Sequence, residues 1–468
     1  MNRKPFQPQL VTVLAALALY AAAPWATAQT TTAPTEDKAA TPSPAAAEPS
    51  SPAPSGNYME RTFGDTNPSN SASQSALTPA YELGGIGRRN DVRAETILTA
   101  PTVGLPLRMD NGLFVYPSAL VGVGRNDNVT GTTSNKISSS IVSLQPAVVG
   151  ELKKSGDRYT LLYRGNYTRY TNSSADNFDH HELAVAGDNY FDSRNRVGWT
   201  AAYLNRTDPR GSTDRGLFSE PDRWNMQTAR GLYIYGAQGA MGRIELDGTL
   251  NRKRYENNRA STELADFNQI ALAGRFYYRV APRTSALVEL RRTSTDYISS
   301  LSTNDNVDTR VLTGVTWQAT AKTSGTAKIG YVQKNYSAAG HSNASGVTWE
   351  AGLRWSPLTY STIDLIMSKS PVDATGLGDY ITNTANTALW NHRWSQTISS
   401  RVSLGSVHSV FANAGRTDTT LNTGAGLFYE LGRSFRGGLE LTRTDRSSNL
   451  SIYEFKRNVL FLSLEGTL

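Results

Sequence analysis

The stretch FYYRVAPRTSALVELRR, Phe276 to Arg292, joins two sequence habits in one short run. It opens on aromatics and bends at Ala281-Pro282-Arg283. It then leaves in strict alternation, with Ala286, Val288 and Leu290 on one side and Leu287, Glu289 and Arg291 on the other. Successive side chains of a strand point to opposite faces, so this is a β-hairpin with one apolar face and aromatics beside the turn. The same design returns in VTWQATAKTSGTAKIGY (315–331), LRWSPLTYSTIDLIM (353–367) and LFYELGRSFRGGLELTR (427–443).

From Asn111 to Leu468 segments of roughly 10 to 14 residues keep this period of two. Tyr159, Leu161 and Tyr163 alternate with Thr160, Leu162 and Arg164. Ile244, Leu246 and Leu250 alternate with Arg243, Glu245 and Asp247, and Val347, Trp349, Ala351, Leu353 and Trp355 with Thr348, Glu350, Gly352 and Arg354. Tight turns are expected near Ser155-Gly156, Arg194-Asn195, Gln238-Gly239, Pro282, Ser324-Gly325, Pro357, Thr397 and Gly432-Arg433. Longer polar connections fall between them, among them RTDPRGSTDRGLFSEPDR (206–223) and SKSPVDATGLGDY (368–380). This spacing predicts about eighteen strands.

Strands of a soluble sandwich average about five or six residues, whereas a strand tilted across a bilayer needs about nine to eleven. The pattern therefore predicts an all-β fold, a transmembrane antiparallel up-and-down β-barrel, apolar outward to lipid and polar inward to water. With 38% hydrophobic residues the chain is polar on average, as expected when only half of each strand meets lipid. Phe276, Tyr278, Trp317, Trp355, Trp394 and Tyr429, beside the turns, are expected to form an interfacial girdle. Short turns would face the periplasm and long loops the outside. The alternating end Leu460, Leu462, Leu464, Gly466 and Leu468 resembles the C-terminal strand signal of outer-membrane proteins.

MNRKPFQPQL, an apolar run to Ala23 and ATAQ read as a signal peptide over residues 1–28, cleaved after Ala28. Residues 29–110 are dominated by Thr, Ala, Pro and Ser, and are expected to be a disordered periplasmic segment with little to bury. The barrel would then occupy 111–468. Cysteine is absent, which excludes disulfides and thiolate metal sites. His180, His181, His341, His392 and His408 are scattered, so no metal site and no cofactor is expected. The +7 charge is interspersed rather than striped, which argues against a nucleic-acid partner.

GLFVYPSALVGVGRNDNVTG followed by SSSIVSLQPAVVGEL resembles the opening two strands of the β-barrel porin-2 group. That group includes outer-membrane proteins encoded in exopolysaccharide gene clusters. The matching elements are Tyr116-Pro117-Ser118, Asp127-Asn128 and Gln145-Pro146, and the resemblance runs over Asn111–Leu468. It implies a large barrel serving export of an exopolysaccharide or capsule-like polymer. The partners would be outer-membrane lipid and lipopolysaccharide, a polysaccharide chain and periplasmic export-machinery proteins.

With the apolar face outward, parity places Arg158, Arg164, Arg243, Glu245, Asp247, Arg275, Arg279, Glu289, Arg291, Glu350, Arg354 and Asp364 inside as candidate pore-lining residues. An eighteen-stranded barrel leaves room for these groups to stay hydrated. The mixture of signs argues against strong ion selectivity. Nothing resembles a nucleophile elbow, and no enzyme is expected. Two other readings remain open, a general small-solute diffusion porin and a non-conducting adhesin or structural barrel.

Overall fold

The computed structural model describes residues 107–467 except 217, 238 and 321. The expected signal peptide and nearly all of the expected disordered segment lie outside the described residues.

A two-residue strand, β1 (Leu107–Arg108), precedes β2 (Leu113–Asn126), β3 (Ser139–Lys154), β4 (Asp157–Tyr170), β5 (Phe178–Tyr190), β6 (Asn195–Asp208) and β7 (Asp222–Tyr235). The wall continues through β8 (Gly242–Tyr255), β9 (Phe267–Ala281), β10 (Thr284–Tyr297), β11 (Asn306–Thr320), β12 (Thr323–Tyr336) and β13 (Ala344–Leu358). It ends with β14 (Ser361–Asp373), β15 (Tyr380–Arg393), β16 (Ile398–Phe411), β17 (Arg416–Leu431), β18 (Phe435–Ser448) and β19 (Phe455–Thr467). Each strand pairs antiparallel with the next, and β19 returns to β2 from Val459↔Asn126 to Thr467↔Ser118. β2 to β19 thus form a closed barrel of 18 strands. Ring closure leaves no unpaired edge, the condition for crossing hydrocarbon with strands. At the seam the Phe461 ring lies over Gly122 and Gly124, where a Cβ on either glycine would overlap it.

The exposure pattern is that of an inverted protein. On β10, Val288 and Leu290 are 54% and 56% exposed, while Glu289 between them is 0% exposed. The aliphatic face is outside and the charged face inside, as lipid on one side and polar contents on the other require. Phe276, Tyr278, Trp355, Trp394 and Tyr429 are exposed outside at the short-turn end, with Trp317 half-buried among them. The girdle stands as expected.

The strands run 13 to 16 residues, longer than expected, so their ends carry past the apolar belt. Six of the eight expected tight turns fall where the pattern placed them. Two are displaced. Ser324-Gly325 lies inside β12, where the Trp317 ring and the Gly352 carbonyl leave no room for a Cβ at Gly325. Pro357 belongs to the end of β13, past a register shift after Trp355 where no ladder donor is needed. Ser368 to Asp373, read as loop, complete β14, with Pro371 within the strand.

The wall also bends. A Cβ on Gly314 would meet the Ala327 carbonyl oxygen, and one on Gly330 the Val311 carbonyl oxygen. This close approach of β11 and β12 curves the sheet tightly. Side chains on β10 and β13, with two strands between them, can then touch.

Candidate functional site

Ten of the twelve sequence-predicted residues are buried or half-buried on the charged face of the wall, Arg158 and Arg279 lie at its short-turn end, and the structure sorts them into groups. Glu245, Asp247, Arg275, Glu289, Arg291 and Glu350 form one network along the curved wall from β8 to β13. Arg275 lies 3.2 Å from Asp247 and 3.3 Å from Glu289. Arg291 Nε donates to Glu289 at 2.7 Å and its Nη1 to Glu350 at 2.8 Å. Lys328 Nζ donates to Glu289 at 2.9 Å and also approaches Glu350. Arg243 joins at 3.2 Å from Glu245, its guanidinium over the Tyr277 ring.

Arg354 and Asp364 make a separate pair at 2.6 Å. Arg164 stands apart near Glu182, which Arg206 holds at 2.8 Å. Arg158 lies toward the short-turn end, lining a cavity of about 70 Å³ with Asp188, Arg196 and Arg230. Arg279 sits at that same end, beside Gly239.

One expectation is corrected. These groups were to stay hydrated, yet Arg275, Glu289, Arg291 and Glu350 are almost wholly shielded. Opposite charges converge on the concave side of the bend and cover one another. Full pairing is what makes ionised groups tolerable at such low exposure.

The lumen is also crossed by a strap that the residue pattern left as an ordinary loop. Residues 209–216, after β6, turn inward at Gly211, whose φ of +78° suits glycine. Arg457 Nη2 donates to the Arg210 carbonyl at 2.9 Å and Arg446 Nη1 to the Gly211 carbonyl at 2.7 Å. Arg416 Nη1 donates to the Asp214 carbonyl at 3.1 Å. On the β14–β15 loop, nearly opposite in the ring, the Asp214 carboxylate accepts from Thr375 N at 2.6 Å, Thr375 Oγ1 at 2.7 Å and Gly376 N at 2.8 Å.

The roots of the strap are tied by Arg210 to Asp176 and by Arg215 to Asp222. Burial pulls the Arg215 guanidinium down, but Tyr255, Asp222 and Asp208 outweigh it and hold its pKa above the ordinary value.

Beneath the strap lies a cavity of about 120 Å³. Its roof is Ser212 to Arg215. Lys253, Tyr255, Phe267 and Tyr297 line one wall, and Asp373, Asn383, Ser409, Phe411, Asp418, Thr420 and Arg446 the other. Sequence parity could name the inward residues but not the anchors. Their only signal was three arginines, at 416, 446 and 457, near the loop ends of consecutive strands.

A closed antiparallel barrel, aliphatic outside and filled with paired charges, defines the outer-membrane porin-like class. The model of the family described as Putative beta-barrel porin 2 matches residues 109–467, and the chain belongs to that family. No protein of curated function matches the sequence. Solved barrels resemble it at low identity. OccK2 (OpdF) of Pseudomonas aeruginosa is 12% identical with a TM-score of 0.44, over 76% of this chain and 98% of that one. A BenF-like porin of Pseudomonas fluorescens Pf-5 is 10% identical with a TM-score of 0.44, over 76% and 99%. OccAB3 of Acinetobacter baumannii is 8% identical with a TM-score of 0.42, over 76% and 99%. Likeness of this degree says nothing of what passes through.

Proposed function

We propose that this outer-membrane barrel is a pore for hydroxylated, sugar-like solutes that pass beneath the strap. The observation carrying this reading is the charge-balanced interior. Nearly every inward carboxylate in the network lies against a cation, as Glu289 does against Arg275, Arg291 and Lys328. A wall without a dominant sign gives weak ion selectivity, while tyrosines, hydroxyls and amides make many weak contacts with a hydrated sugar. The protein supplies a path and no catalysis.

Export of an exopolysaccharide or capsule-like chain is a second reading, favoured by how the strap is held. Its anchors are polar bonds to arginines, Thr375 and Gly376, which water can replace. A displaced strap would leave the lumen to a polymer. In that version the driving energy comes from periplasmic export partners.

Liposome swelling with the purified barrel and a series of sugars tests the pore. Uptake of mono- and disaccharides with a size cut-off is expected. No sugar flux and no conductance would refute it in favour of an adhesin or structural barrel. Loss of surface polysaccharide on deleting the gene would support the export reading, and unchanged secretion would remove it.

A further inference from the structure

The lining of the cavity beneath the strap holds three carboxylates, Asp214, Asp373 and Asp418, and three cations, Arg215, Lys253 and Arg446, and these are unequally matched. Its two acidic wall residues are closely matched from outside it. Asp373 is held by Lys334 at 2.5 Å and Asp418 by Arg416 at 2.6 Å. The cations Lys253 and Arg446 have no carboxylate so close and rest on neutral partners: Lys253 Nζ donates to the Tyr255 hydroxyl at 2.9 Å and lies over the Trp224 ring, and Arg446 Nη1 donates to the Gly211 carbonyl at 2.7 Å. Lys253 Nζ has its nearest carboxylate, Asp208, at 3.9 Å, and Asp208 also serves Arg215, Trp224 and Tyr255. Arg446 has its nearest, Asp418, at 4.0 Å, beyond the shorter bond that Asp418 makes with Arg416.

Asn383 adds a neutral donor. Its Oδ1 accepts from Ser409 at 2.6 Å, which leaves Nδ2 without a partner among the described residues. Two cations held by neutral groups rather than by a close carboxylate, with a spare amide, set among tyrosine rings and hydroxyls, form the complement of a carboxylate carried on a polyol.

We infer that this cavity is a binding site for an acidic sugar, a uronate-type unit taken either free or as one residue of an acidic polysaccharide. The inference rests on the pore reading and specifies its solute. Lys253 and Arg446 would share the carboxylate from facing walls, Asn383 Nδ2 would donate to a ring or hydroxyl oxygen, and Tyr255 and Tyr297 would flank the sugar.

Calorimetric titration of the detergent-solubilised barrel with glucuronate, glucose and a trimeric uronate tests it. Glucuronate should bind at least tenfold more tightly than glucose. Lys253→Met, which keeps the length of the side chain, should lower glucuronate affinity about tenfold and leave glucose unchanged. Asn383→Leu should weaken both sugars without touching a charge. Arg125→Gln, on the outer face, should change neither. Heat-modifiable migration in detergent gels checks that each variant is folded.

Tighter binding of the trimer would identify the polymer as the source, and equal binding the free sugar. Equal affinity for glucuronate and glucose, or a folded Lys253→Met barrel with unaltered glucuronate binding, overturns the site. A barrel that conducts yet binds no glucuronate refutes the site alone. One that binds glucuronate yet passes nothing refutes the pore reading alone.

Discussion

Replacing Asp214 with alanine should release the strap. The carboxylate accepts three bonds from the β14–β15 loop, at 2.6, 2.7 and 2.8 Å. Bonds to a charged acceptor contribute about 1.5–3 kcal/mol each when shielded. These three are only partly shielded, so about 1 kcal/mol each, or about 3 kcal/mol together, is the appropriate scale. That corresponds to about a 100-fold shift from docked toward displaced strap.

The arginine anchors at 416, 446 and 457 bond to strap carbonyls and survive the change, so the barrel itself should still assemble. Single-channel recording in planar bilayers, with polyethylene glycols as sizing probes, reads the result. Asp214→Ala should show more frequent or larger openings and admit larger polymers, with Asp214→Asn intermediate. A folded Asp214→Ala barrel with wild-type conductance and the same size cut-off would refute the idea that the strap constricts the path.

Other outcomes follow from the wall and the loops. Glu289→Ala leaves Arg275 with Asp247 and Glu245, and Arg291 and Lys328 sharing Glu350, at an almost unexposed position, and should cost about 3 kcal/mol, read as a lower urea midpoint, with Glu289→Gln milder. Leu290→Arg places a charge on the outer face near the middle of β10 and should cost about 2–4 kcal/mol, read as a smaller fraction folded into vesicles. Gly330→Ala should block assembly, since its Cβ would meet the Val311 carbonyl on the paired strand, and protein recovered in inclusion bodies would show it.

Asp379 joins three loops, and the Asn413 amide, with Ser342, holds its carboxyl below the usual range against a little burial. A depressed folded value stabilises above the unfolded one and is lost as pH falls through the folded one. Loop protection from protease should therefore be flat from neutral pH to about 5 and decline only below about 4.

Alternation around Phe276–Arg292 was enough to read the barrel, its polarity and the shared face of the network residues Glu245, Asp247, Arg275, Glu289, Arg291 and Glu350. Parity is a local property of extended backbone, and a one-residue slip would put each leucine inside. Turn positions were less legible where Ser324-Gly325 and Pro357 mimic turn chemistry inside strands. Ser-Gly and Pro carry the same local signal whether the backbone turns or a neighbouring ring crowds it.

The sequence by itself determined that a lipid-facing ring forms and which side chains it turns inward, because both follow from a period of two within each segment. Only the tertiary structure decided that Arg291 meets Glu350 across two strands, that 209–216 lies across the lumen, and that Lys253 and Arg446, each without a close carboxylate, line one cavity. Those meetings depend on how tightly the wall curves and where a loop comes to rest, and both are set by contacts between residues far apart in the chain.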